Sequence, residues 1–174
     1  MHVIHFKIIR NFFFITAAVL LLQGCKVSYS FTGADIGAAQ TFQVNNFINN
    51  AAIVEPRIAR EFTLALQDIL LNQTSLSIVT NNGDLVYEGE IIQYYVAPIT
   101  ATSQSTAAQN RLTIALNVRF FNTLEPDKEF EERFSFYFDY SGSAQLVGSQ
   151  LDDALEVVFE RITQDIFNKS LANW

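Results

Sequence analysis

Histidine is nearly missing from this 174-residue chain: the two present, His2 and His5, both stand at the extreme amino terminus. No imidazole is therefore available to the body of the protein. That excludes Ser-His-Asp and Cys-His nucleophilic schemes and the H-E-x-x-H zinc site. Cysteine occurs once, at Cys25, which excludes an intrachain disulfide and leaves zinc sites built from His and Cys without ligands. None of the lysines follows a serine by three positions, so the Ser-x-x-Lys nucleophile is absent too. The glycines form no phosphate-cradling loop. Any enzyme made from this chain would have to work with carboxylates, tyrosines or arginines alone. Basic residues are also scarce, 11 against 18 acids for a net charge of −7. That balance argues against nucleic acid as a partner, since its phosphates reward a basic surface, though an acidic average leaves room for a local basic patch. Finally, the apolar run near the amino terminus is roughly a dozen residues, short of the ~20 that cross a bilayer as a helix.

That stretch, Asn11 to Leu22, follows Lys7 and Arg10, the order of a charged n-region and an h-region in an export signal. It ends in Leu22-Gln23-Gly24-Cys25, with the one cysteine three residues after a leucine and directly after a glycine. These residues resemble the bacterial lipobox. The resemblance implies cleavage between Gly24 and Cys25, a diacylglycerol on the Cys25 thiol and an acyl chain on the new amino group. One acyl chain holds a membrane only marginally, whereas several hold it stably. The expectation is thus a water-exposed domain tethered to a membrane surface, with no cofactor beyond these covalent lipids. Residues 1–24 form the leader, 25–40 a lipidated tether and 41–174 a single domain, a length suited to one core. Cleavage removes Lys7 and Arg10 but no acid, so nine of the 11 basic residues face all 18 acids in the mature part.

Along that domain, Thr41 to Phe47 alternates partly and predicts a strand, and Asn45 to Ala52 reads as a polar loop. From Pro56 to about Leu71, Ile58, Phe62, Leu66 and Ile69 recur at helical spacing, with proline suited to the first helical position. Two β-rich runs, Ser75 to Thr80 and Leu85 to Val96, flank Asn81-Asn82-Gly83-Asp84. Asn-Gly in that setting predicts a hairpin with a type I′ turn, and Pro98 is expected to end the second strand. A charge-free stretch from Ile99 to Gln109 then connects to Arg111–Phe121, which alternates well, and after a turn at residues 123–128 the chain returns with Phe130, Phe134, Phe136, Phe138 and Tyr140 at even positions against Glu131, Arg133, Ser135 and Asp139. The two form a second hairpin with half-buried strands. A last helix spans about Ser149 to Leu171, with acids near its start and Lys169 near its end, as the helix dipole favours. Two helices with one apolar stripe each need one sheet face to cover. The fold class that follows is α+β: a two-layer sandwich with a mostly antiparallel four- to five-stranded sheet and both helices packed on one face. The other face is left to polar and aromatic side chains.

The lipobox followed by Tyr29-Ser30-Phe31-Thr32-Gly33, the segments Asn81-Asn82-Gly83-Asp84-Leu85 and Glu88-Gly89-Glu90-Ile91, the run Asn110-Arg111-Leu112-Thr113-Ile114, and the ending Asp165-Ile166-Phe167-Asn168 with Asn173-Trp174 resemble the LptE family. That family comprises lipopolysaccharide-assembly lipoproteins of Gram-negative outer membranes. The resemblance implies an α+β fold, a lipid-anchored position on the periplasmic face of the outer membrane and a non-enzymatic role. It further implies a plug inside a large β-barrel partner, LptD, which it helps to assemble and to insert lipopolysaccharide into the outer leaflet. Lys26 after the lipidated cysteine, with no acid before Asp35, resembles the sorting pattern of outer-membrane lipoproteins and lacks an inner-membrane retention aspartate.

Some family members bind lipopolysaccharide through basic residues, and Arg111 and Arg119, on one face of a predicted strand, are the candidates here for phosphate contacts. The alternative is cross-strand pairing with acids such as Glu131 or Glu88 on a solvated face. Glu88 and Glu90 also share a strand face about 7 Å apart by strand rise, a spacing compatible with a carboxylate-dependent hydrolase. Ordinary solvated glutamates at i and i+2 look the same. A further alternative to the plug is a free periplasmic lipid-binding or transport-accessory lipoprotein, which would show an apolar cavity.

Overall fold

The computed structural model describes residues 34–53, 55–99, 109–141 and 145–172. The leader, the lipobox with Gly24 and Cys25, the segment Lys26–Gly33, most of the stretch after Ile99, Gly142 and Asn173-Trp174 lie outside the described residues. The described chain runs β1 (Thr41–Val44), β2 (Ile48–Asn49), α1 (Ile58–Gln73), β3 (Ser77–Ile78), β4 (Leu85–Ile99), β5 (Gln109–Asn122), a 3-10 turn (Pro126–Lys128), β6 (Phe130–Ser141) and α2 (Ser149–Leu171). One sheet takes all six strands in the order β3-β1-β4-β5-β6, with β2 following β1 along the same edge of β4.

Alternation decides the two faces. In β5, Leu112, Ile114, Leu116, Val118 and Phe120 are buried toward the helices, while Arg111, Thr113, Asn117 and Arg119 project from the opposite face. Both helices cover the first face, α1 over β1 to β3 and α2 over β5 and β6. The helices run parallel: Arg57 before α1 meets Asp152 in the first turn of α2, and Gln73 at the end of α1 donates to Gln164. Phe62 of α1 seats between Phe47 and Phe159, edge-to-face with both, at 4.8 and 5.3 Å. Thr63 is buried beside it. Its hydroxyl donates to the Ala59 carbonyl and accepts the Phe47 N–H, which pins the β1–β2 connection onto the helix. Among the described residues no buried side-chain polar atom lacks a partner, as a stable core requires.

The α+β sandwich matches the sequence expectation, and the sheet refines it. β1 and β3 are parallel neighbours joined through α1, and β1 and β2 both pair parallel with β4, so the sheet is mixed and has six strands. The β3–β4 hairpin predicted at Asn81-Asn82-Gly83-Asp84 does not form, because β1 lies between those strands. The turn crosses the start of β1 instead. Asp84 accepts the N–H groups of Gln40 and Thr41 and the Thr41 hydroxyl at 2.9 to 3.0 Å. Only Asn82 takes positive φ. Gly83 is needed for close approach, since a Cβ there would stand 2.8 Å from the Gln43 nitrogen. The loop predicted over Asn45–Ala52 contains β2. α1 starts at Ile58, with Arg57 as its cap residue, two positions after Pro56. Pro98 does not end β4, which continues to Ile99. Beyond Ile91 no described strand pairs with β4 on the β2 side, and proline is tolerated on such an edge.

Candidate functional site

Two surfaces remain once the core is assigned. The first is the sheet face turned away from the helices. Its charged side chains are matched within the sheet: Arg119 reaches across to Glu88 at 3.0 Å, and Glu88 also accepts from Asn45. Glu90 accepts from Asn50 and Glu131 from Asn117. Arg133 donates to Gln93. Arg111 forks onto Asp139 through two hydrogen bonds of 2.6 and 2.7 Å, and its guanidinium lies 3.7 Å over the Tyr137 ring. Tyr95 and Tyr137, 53% and 45% exposed, stand among these pairs.

Arg111 and Arg119 thus project from one strand face, as the alternation predicts, and each already holds a carboxylate. The Glu88 pairing is the one anticipated, whereas Glu131 is taken by Asn117 and Arg111 is taken by Asp139. These bonds act on the acids' titration. The Arg119 hydrogen bond, followed by that of Asn45, holds Glu88 below the usual carboxylate range, and the Arg111 bond does the same for Asp139. Among the described residues no group of three His, Cys, Asp or Glu side chains is placed to hold a metal.

The second surface is a cleft of about 540 Å³ at the amino-terminal ends of both helices, walled by Ile53, Tyr94, Val96, Tyr140, Leu146 and Leu151. Arg57 sits on its rim, 2.6 Å from Asp152 and within 3.6 Å of Glu55 and Glu61. A β-bulge creates the apolar wall. Register slips between Ile91 and Gln93, so the buried set changes from Leu85, Tyr87 and Ile91 to Tyr94 and Val96, opposite Ile114 and Leu112. The two paired apolar steps, Ile91-Ile92 and Tyr94-Tyr95, are the signal in the sequence that marks this change of parity. The cleft also lies far from where the chain enters the domain. Ala34 bridges to Ala172, and Asp35 donates its N–H to the Leu171 carbonyl, at the other end of a 23-residue helix about 34 Å long.

A family model for lipopolysaccharide assembly, LptE, matches residues 39–170, which takes in all six strands, α1 and all of α2 but its last residue. This chain belongs to the LptE family. No curated sequence matches it. Among solved structures, this LptE-family chain is similar to the hypothetical protein CT253 from Chlamydia trachomatis, at 10% identity over 78% of this chain and 100% of that one, with a TM-score of 0.52. It is also similar to a minor lipoprotein from Acinetobacter baumannii, at 9% identity over 76% and 90% of the two chains and a TM-score of 0.46. Lipoprotein B from Nitrosomonas europaea gives 11% identity over 83% and 88%, with a TM-score of 0.45. At such identities the CT253 likeness bears on the fold alone.

Proposed function

We propose that this chain is a lipid-anchored subunit of the outer-membrane lipopolysaccharide-assembly machinery. In this reading it is tethered through Cys25 to the periplasmic face of the outer membrane and seated as a plug in an LptD barrel. There it assists assembly of the barrel and insertion of lipopolysaccharide. The observation that carries the reading is the LptE match across residues 39–170. Two features support it. The lipobox supplies the anchor, and the open sheet face offers matched polar and aromatic groups, a surface suited to the polar interior of a wide barrel. Glu88 and Glu90 are engaged by Arg119, Asn45 and Asn50 on the sheet face, which speaks against the hydrolase alternative and for a non-catalytic role. Arg111 and Arg119 are the candidates for lipopolysaccharide phosphates, which would have to take the places of Asp139 and Glu88. The cleft beside Tyr94 favours one other reading, a free lipid-binding lipoprotein.

Gentle-detergent capture of the tagged, lipidated protein from its own outer membrane, followed by mass spectrometry, decides between these. Recovery of a large barrel protein in near-equal amount is the expected result. Recovery alone, or with lipid only, overturns the plug and leaves the lipid-binding lipoprotein.

A further inference from the structure

Cations are scarce in this acidic chain, and nearly all of them are spent on its own carboxylates. Of the eight in the described residues, Arg57, Arg111, Arg119, Lys128, Arg161 and Lys169 each hold an aspartate or a glutamate, and Arg133 donates to Gln93. Arg60 is the exception. It is exposed, and among the described residues no hydrogen bond, ion pair or ring contact engages it. The cause lies in the sequence of α1. Side chains three and four positions apart are neighbours on a helix. For Arg60 those positions hold Pro56, Arg57, Thr63 and Leu64, none of them acidic. The one adjacent acid, Glu61, is drawn to Arg57 instead, at 3.5 Å.

Arg60 borders a groove of about 490 Å³ between the first half of α1 and the connection from β1 to β2. Phe47, Ala59 and Leu64 make its walls apolar. Leu64 is 45% exposed, and Ile48, the residue after Phe47, is 61% exposed. Asn46 and Gln67 add two side-chain amides to the lining, neither of them hydrogen-bonded among the described residues. Each amide offers donors and an acceptor, a match for the N–H and C=O groups of an extended backbone. An anionic lipid would satisfy Arg60 but leave both amides against its acyl chain, and polar groups buried without partners are costly. A polypeptide satisfies all three. We propose that this groove takes a segment of the barrel partner's chain in which an aspartate or glutamate stands beside a large apolar side chain. The carboxylate meets Arg60, the apolar side chain lies against Phe47 and Leu64, and the backbone passes between Asn46 and Gln67. Charge also sets the location. Acids repel such a segment over most of this surface, and Arg60 is the cation it reaches without displacing a carboxylate, which gives specificity more than affinity. The inference rests on the plug reading, since the barrel supplies the segment.

The test uses the full-length lipidated protein in its own membrane. The photo-crosslinking residue p-benzoylphenylalanine replaces Leu64 in one variant and Val157, an exposed residue of α2, in a second. After irradiation, mass spectrometry of the Leu64 product should identify one barrel peptide with an aspartate or glutamate next to a large apolar residue, and the Val157 variant should not capture that peptide. Arg60→Glu should lower the amount of barrel recovered with the protein about tenfold, and Arg60→Lys should keep most of it. Exchanging the captured acid for lysine should restore recovery with Arg60→Glu. Because Arg60 is exposed and unpaired, the melting temperature of Arg60→Glu should equal the parent's, which separates a lost contact from a misfolded chain. Capture of lipid, of a second copy or of a different protein at Leu64 overturns the proposal, as does full recovery of the barrel with Arg60→Glu. A barrel that co-purifies with the parent but is never captured from Leu64 overturns the groove and leaves the plug. A parent that recovers no barrel at all overturns the plug reading itself.

Discussion

Replacing Tyr87 with phenylalanine tests the centre of the core through a group whose chemistry changes with pH. Tyr87 is fully buried against Phe120, its hydroxyl donates to Ser170 at 3.0 Å, and Ser170 in turn donates to the Ile166 carbonyl. Tyr87→Phe keeps the ring and removes one hydrogen bond, at a cost of about 1 kcal/mol. Ser170→Ala leaves the buried phenol without an acceptor, and an orphaned group costs about 1–3 kcal/mol. Ser170→Ala should therefore be the more damaging change, and the double variant should cost less than the sum of the two. Burial, offset in part by the Ser170 bond, also holds the phenol well above its ordinary pKa of 10.0. A group whose pKa is raised on folding gives its full contribution below the unfolded value and loses it as pH rises. Above pH 10 the unfolded chain releases a proton that the folded chain retains, which drains about 1.4 kcal/mol per pH unit from the parent. Tyr87→Phe lacks that drain, and all other titrating groups cancel in the difference. The gap of about 1 kcal/mol should thus close near pH 11. Urea unfolding of the parent and the three variants from pH 8 to 11.5, followed by far-UV circular dichroism, measures this. A gap unchanged at pH 11.5, or a Ser170→Ala variant milder than Tyr87→Phe, refutes the reasoning.

Gly89→Ala should lower the urea midpoint by the equivalent of about 1–3 kcal/mol or more, because a Cβ there collides with the Asn117 carbonyl and lies 2.8 Å from the Phe47 ring. Phe62→Ala empties the contact between Phe47 and Phe159 and should cost about 3–5 kcal/mol, a large share of the 5–15 kcal/mol typical of a domain. Asp84→Asn acts through pH. The backbone N–H of Gln40, then the Thr41 hydroxyl and N–H, hold Asp84 below the usual range, so its contribution is present above about pH 4 and is lost as pH falls through its folded value. Melting curves of parent and variant should differ at pH 7 and converge toward pH 2.

How much of this was legible in the sequence depends on the range of the interactions concerned. The two helices, β5 and β6 follow from periodicity, because Leu112 to Phe120 alternates without a break, Phe130 to Tyr140 does so except at Glu132 and Tyr137, and each sits against neighbours in the same order along the chain. The partners of β4 are a different matter. Asn82-Gly83 carries a strong local hairpin signal, yet β1, forty residues earlier, occupies the place beside β4, and the segment satisfies Gln40 and Thr41 through Asp84. Local propensity loses there to a non-local parallel pairing that periodicity cannot register. β2 is hidden for a related reason: Ile48-Asn49 is too short to show alternation, and only Glu90 and Ile91 beside it make it a strand. Of the candidate site, the common face of Arg111 and Arg119 is legible, being a matter of parity. Their partners are not, because Asp139 and Glu88 become neighbours only once β6 and β4 take their register against β5.

That register bears on how an acidic protein could meet an anionic lipid. Arg111 and Arg119 carry no unmatched charge on the sheet face: Asp139 and Glu88 hold them at 2.6 and 3.0 Å. A phosphate arriving at either arginine adds no net attraction until a carboxylate leaves, and the leaving carboxylate, already exposed, regains water at little cost. Such an exchange is nearly balanced in energy, since exposed ion pairs contribute only about 0–1 kcal/mol. Affinity would then have to come from the lipid's apolar part or from several phosphates acting together. The apolar cleft at Tyr94 and Tyr140 lies at the end of the sheet where Arg111 stands, because Arg111 pairs with Ala97 and Asp139, one residue from Val96 and Tyr140. Arg119 stands eight residues further along β5 and has no such neighbour. Successive strand residues point to opposite faces, however: Arg111 lies on the open face, whereas Val96 and Tyr140 line the cleft on the helix side. The sheet itself separates a headgroup at Arg111 from an acyl chain in the cleft, so Arg111→Ala and Arg119→Ala should weaken lipid retention to a similar, small extent.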